Sequence, residues 1–129
     1  MSRSLMCLFF IVFFSCGYFE NDGILFEKKI VGNIEFHQSK NSTNVDLVLA
    51  KSNGHYGIIV PDCKKIFYDS SNKKIYVEAI LNQYNFNYYE FNILNAESMS
   101  RFEAYKENKI QKDLFDSLSV STRLVFHKN

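Results

Sequence analysis

The sequence predicts an α+β domain: an antiparallel β-sheet of about five to six strands with one or two short C-terminal helices packed on it. Short apolar runs alternate with period two between Ile34 and Leu81, the signature of a sheet with one well-buried face. After Leu94 the apolar spacing changes to i, i+3, i+4, the signature of an amphipathic helix. Strands first and helices last is the order expected of an α+β fold. The length of 129 residues suits one domain, and 47% hydrophobic with 22% charged residues excludes both a disordered chain and a polytopic membrane protein. Fifteen Lys+Arg against 14 Asp+Glu leave a formal charge of +1, which gives no electrostatic basis for binding nucleic acid or an anionic membrane surface.

The elements follow in order across a globular region expected over residues 29–129. Ile34 and Phe36 face one way, Glu35 and His37 the other; Val45, Leu47 and Leu49 oppose Asp46. Tyr56, Ile58 and Val60 alternate with Gly57 and Ile59, and Ile75, Val77, Ala79 and Leu81 alternate with Lys74, Tyr76, Glu78 and Ile80. The polar stretches Lys40 to Asn44, Ser52-Asn53-Gly54 and Ser70 to Lys73 stand where hairpin loops are needed. Pro61-Asp62 ends the third run, since Pro cannot donate to a strand ladder. Phe86 to Leu94 is the next strand candidate. Ser100 with Glu103 fits a capping box, and Phe102, Tyr105, Ile110, Leu114, Phe115 and Leu118 carry the helical spacing, with a break around Asn108. Leu124-Val125-Phe126 is placed as a short returning strand. The lysine pairs Lys28-Lys29, Lys64-Lys65 and Lys73-Lys74 read as solvated turn and edge charges that discourage edge-to-edge pairing.

The first sixteen residues differ from all that follows. Arg3 precedes 10 unbroken apolar residues, Leu5 to Phe14, and then Ser15-Cys16-Gly17. A run about half of the roughly 20 residues that span a bilayer as a helix is the layout of a signal peptide. Phe13-Phe14-Ser15-Cys16 resembles the lipobox of bacterial lipoproteins, although Phe13 and Phe14 stand where that family favours an aliphatic and a small residue. The resemblance implies a signal peptide over residues 1–15, lipidation of Cys16, and a membrane-proximal tether over residues 16–28, with Asn21-Asp22-Gly23 as its turn. The residue-level alternative is an ordinary secretory signal cleaved near Ser15 or Gly17. Acyl chains on Cys16 would contribute about 0.8 kcal/mol per buried CH2, enough to hold the domain at a membrane without embedding it. Gly17 is not the Asp that retains some lipoproteins at the inner membrane, so the resemblance implies outer-membrane sorting, on the periplasmic or surface side.

Removing the first 15 of the 129 residues leaves 114, with 14 basic and 14 acidic side chains and Cys63 as the one thiol besides Cys16. Lipidated, Cys16 cannot pair; unlipidated, it could form a disulfide with Cys63. The domain also resembles other small β-rich lipoproteins of bacteria, which implies an envelope location and no particular activity.

Chemistry-bearing residues are sparse. His55, Cys63 and an acid such as Asp62 or Asp69 are the only set that resembles a Cys-His nucleophile pair, and no spacing enforces their contact. His37, His55 and His127 are far apart in sequence, no C-x-x-C, H-E-x-x-H or Asp-rich loop occurs, and Gly32, Gly54 and Gly57 form no phosphate cradle. No catalytic residue, metal site or cofactor is therefore expected. The segment from Tyr84 to Phe91 holds five aromatics in eight residues. As a strand it puts Tyr84, Phe86 and Tyr88 on one face and Tyr89 and Phe91 on the other. If a face is exposed, Tyr84, Phe86, Tyr88 and Tyr89 are the candidate partner-binding residues; if sheet and helix cover both faces, they are core. The expected function is a non-enzymatic, lipid-anchored, protein-binding module of inhibitor or immunity type, with an accessory role in envelope assembly or maintenance as the alternative.

Overall fold

A tight reversal falls at Gly32-Asn33, where Gly32 takes a positive φ of 55° that a residue with a side chain adopts only under strain. This two-residue turn joins β1 (Ile24–Val31) to β2 (Ile34–Ser39), with Val31 opposite Ile34 and Glu27 opposite His37. The computed structural model describes residues 24–40, 43–52, 54–99 and 104–128. The expected signal peptide, Cys16, and the capping pair Ser100 and Glu103 lie outside them. Antiparallel pairing continues through β3 (Val45–Ala50) to β4 (Tyr56–Val60), giving a four-stranded sheet in the order β1-β2-β3-β4.

At Pro61-Asp62 the chain leaves that sheet for a second one. Asp62 sits at φ 55°, its backbone N–H donates to the Asp46 carboxylate at 3.0 Å, and its carbonyl accepts from Ile80 N–H at 2.8 Å. β5 (Cys63–Asp69), β6 (Lys74–Ile80), β7 (Phe86–Asn92), the two-residue β8 (Lys109–Ile110) and β9 (Arg123–His127) then build a five-stranded antiparallel sheet in the order β8-β7-β6-β5-β9. Among the described residues two short helices complete the fold. α1 (Ile93–Ser98) is capped by the Asn92 side chain, which accepts from Leu94 N–H at 3.2 Å; α2 (Lys112–Ser119) follows a 3-10 turn at Ala104–Asn108. Among the described residues no helix is long and apolar enough to cross a membrane.

Both sheets feed one core. Ile34, Phe36, Val45 and Leu47 from the first meet Ile66, Ile75, Val77, Tyr89 and Phe91 from the second, and the Phe36 and Phe126 rings lie 5.2 Å apart across the join. A smaller cluster of Tyr76, Tyr88 and Phe115 covers the opposite face of the five-stranded sheet, where Phe115 of α2 packs 5.7 Å from Phe67 and 4.9 Å from Tyr88.

The expectation of one sheet of five to six strands is therefore corrected to two sheets of four and five strands. The missing elements have physical reasons. β1 carries Glu27, Lys28 and Lys29 along a sheet edge, so its pattern reads as polar, and residues 24–28, assigned above to the tether, are strand. In β5 a bulge between Cys63 and Lys65 shifts the frame, so the buried positions Cys63, Ile66 and Asp69 recur every third residue. A second bulge in β4 pairs Leu47 with Val60 and Val48 with Ile58, leaving Ile59 extra. That turns Ile59 and Val60 inward and leaves Tyr56 and Ile58 exposed, against the alternation expected there. A helix already begins at Ile93, inside the strand expected to run to Leu94, because Asn92 supplies the cap as soon as β7 ends.

Candidate functional site

Among the described residues two regions bring polar or reactive side chains together, one at the expected aromatic segment and one that the sequence did not point to. In the first, Asn82 builds the loop between β6 and β7: its side-chain oxygen accepts from Tyr84 and Asn85 backbone N–H groups, both at 3.1 Å. This holds Tyr84 at the loop tip, 80% exposed. The other aromatics diverge from it. Phe86 is half-buried with the Lys64 ammonium 5.2 Å from its ring centre. Tyr88, 8% exposed, lies under Phe115 of α2, and Tyr89, 2% exposed, packs on the core side with its ring 5.1 Å from Tyr105. The candidate binding residues Tyr88 and Tyr89 are thereby corrected to core: α2 covers one face of β7 and the shared core with the 3-10 turn covers the other. Burial holds both phenols above their usual titration range. What remains at the surface is an open cleft of about 410 Å³, with Tyr84, Asn85, Phe86, Asn87 and Tyr88 along one wall and Lys109 to Lys112 along the other.

Cys63 does not form a nucleophile. It is fully buried, its thiol donates to the Val60 carbonyl at 3.4 Å, and desolvation pushes it well above the ordinary thiol range, so the thiolate is suppressed. The charges acting on it are Asp46 and Asp62, not His55. Asp69 is used structurally: it accepts from Ser71 and Asn72 backbone N–H groups at 3.1 Å and from the Asn72 amide at 2.9 Å, closing the β5–β6 turn. These bonds hold its carboxyl below the usual range. Asp62 is shifted the other way, raised by burial first, with Lys128 opposing.

The second region lies on the face of the four-stranded sheet turned away from the core. Glu35 and His37 point there because they alternate with the buried Ile34 and Phe36, and Glu27 joins them because it is the register partner of His37. His37 is 5% exposed; its Nε2–H donates to Glu35 Oε1 at 2.9 Å and stands 3.5 Å from Glu27 Oε2. Its Nδ1 is buried without a hydrogen-bond partner, and the Tyr56 ring crosses its ring edge-on at 4.8 Å. One oxygen or nitrogen from each of Glu27, Glu35 and His37 falls within 4.8 Å of the others. The signal was present in the sequence as the Glu35-x-His37 spacing and the Gly32-Asn33 turn, but assigning residues up to 28 to a tether hid the strand that brings Glu27 across. No protein-family model, curated protein or solved structure matches the chain.

Proposed function

We propose that this is a lipid-anchored protein of the bacterial envelope whose globular part is a non-enzymatic module binding a protein partner, in the manner of inhibitor and immunity proteins. The observation that carries the reading is the Tyr84 ring, held out by the Asn82 turn at the rim of the cleft between 84–88 and 109–112. A Tyr already positioned by its loop offers a large contact area at little entropic cost on binding, and the Asn85 and Asn87 amides beside it supply hydrogen bonds. Lys109 and Lys112 on the facing wall favour a partner with acidic groups around an apolar or aromatic knob. Lipidation of Cys16 rests on the lipobox resemblance and places the cleft on a tethered domain.

The test uses protein extracted from bacterial membranes. An intact mass showing a chain that begins at Cys16 with added acyl mass, lost in Cys16→Ser, supports the anchor; an unacylated chain overturns it. A partner that co-purifies at fixed stoichiometry and is lost in Tyr84→Ala supports the cleft. Retention of that partner by Tyr84→Ala overturns the cleft assignment.

A further inference from the structure

The geometry points to a second, independent site: we propose that Glu27, Glu35 and His37 bind a first-row divalent cation such as Zn2+, with water completing its shell. The three residues come from paired strands and share one face, so the ladder itself fixes their spacing. Two carboxylates and an imidazole nitrogen are a donor set suited to Zn2+ and its neighbours, whereas Ca2+ and Mg2+ prefer oxygen alone.

The distances suit such an ion after small adjustments. Tetrahedral bonds of about 2.0–2.2 Å place neighbouring donor atoms about 3.4 Å apart. Glu27 Oε2 already stands 3.5 Å from His37 Nε2. Glu35 Oε1, now at hydrogen-bond distance of 2.9 Å, has to withdraw by about half an ångström.

The His37 ring is the observation that separates this group from a chance acidic patch. It is 5% exposed, with Nε2 aimed at both carboxylates and Nδ1 without a partner. Coordination requires Nε2 to give up its proton. Nδ1 can take it, and the Nε2–H hydrogen bond to Glu35 Oε1 then gives way to the bond to the ion. A cation also resolves the repulsion of two carboxylates brought within 4.8 Å of each other. Lys29, the register partner of Glu35, is exposed and forms no ion pair with it among the described residues, so it does not occupy the position. Asp46, across from His37 on β3, is held by the Asp62 N–H at 3.0 Å and is not needed as a ligand.

The experiment is calorimetric titration of the full-length protein with Zn2+, with thermal unfolding at rising Zn2+ alongside. The expected result is saturable binding of one ion per chain and a Tm that climbs with Zn2+ concentration. His37→Gln abolishes both effects. Glu27→Gln, at an exposed position where the fold tolerates the change, weakens binding at least tenfold and keeps the test decisive if His37→Gln fails to fold. Mg2+ produces no comparable effect. Absence of saturable Zn2+ binding in the wild type, or binding by Glu27→Gln as tight as wild type, overturns the proposal and leaves the group as an ion pair with a buried imidazole.

Discussion

The two sheets share a core, yet the faces they turn away from it are finished differently. On the five-stranded sheet, Tyr76 and Tyr88 are buried because Phe115 of α2 lies over them. On the four-stranded sheet, the outward face keeps Tyr56 and Ile58 exposed and buries His37 in company with two carboxylates. The first arrangement is an aromatic cluster closed by packing, with the Lys74 ammonium paired to Glu90 at 2.9 Å beside it. The second leaves a buried imidazole nitrogen without a partner, which costs free energy unless something else uses it. The covered face therefore contributes stability through packing, while the open face carries a polar atom that packing leaves unpaired.

Truncating the cover should have the largest effect of any change on either face. Phe115→Ala removes the ring that joins Phe67 and Tyr88 and is expected to cost about 3–5 kcal/mol, read as a lower urea midpoint at unchanged m-value. Tyr56→Ala on the open face removes one edge-on contact with His37 and is expected to cost only about 1 kcal/mol. Equal losses from the two changes would break the comparison, because they would mean that the open face is packed as tightly as the covered one.

How far this contrast was legible depends on what each signal requires. The alternation in β2, β3 and β6 is local, and it placed Ile34, Phe36, Leu47, Ile75 and Val77 in the core correctly. It failed in β4 and β5, where a bulge shifts the frame by one residue and no composition marks the shift. It failed in β1 because an edge strand bearing Glu27, Lys28 and Lys29 looks like linker. Neither site could be completed locally. The fate of Tyr88 depends on Phe115, 27 positions away in the chain, and that of His37 on Glu27 across the hairpin. The Tyr84-to-Phe91 run was visible as an aromatic cluster, but which rings stay exposed is a tertiary fact.

The joint between the two sheets gives a smaller and sign-dependent effect. β5 begins after Asp62, whose carboxyl is raised by burial, and ends at Asp69, whose carboxyl is lowered by three hydrogen bonds. A lowered carboxyl contributes stability that is complete above the unfolded value near 3.8 and is lost as pH falls through the folded value. A raised one does the reverse: its charged form opposes folding once pH rises past the unfolded value, and the penalty is complete above the folded one. Asp69→Asn is thus expected to lower stability at pH 7 and to converge on wild type in acid. Asp62→Asn is expected to raise stability at pH 7 and likewise converge in acid. Urea midpoints of the three proteins between pH 3 and pH 7 check both signs, and curves that run parallel to wild type would remove these carboxyls as the source.

Tyr84→Ala should have the smallest effect on folding. The ring is exposed, and the turn beneath it is held by the Asn82 side chain and by backbone atoms, none of which the substitution touches. A change within about 0.5 kcal/mol is the expectation for such a surface position. The value of this variant lies in that neutrality. If a partner contacts the cleft, its loss in a protein with an unshifted urea midpoint is a statement about binding alone, whereas Tyr88→Ala would confound binding with the collapse of the cover over the five-stranded sheet. A Tyr84→Ala midpoint lowered as far as that of Phe115→Ala would show that the loop is part of the packed face, and the cleft would no longer be a surface prepared for a partner.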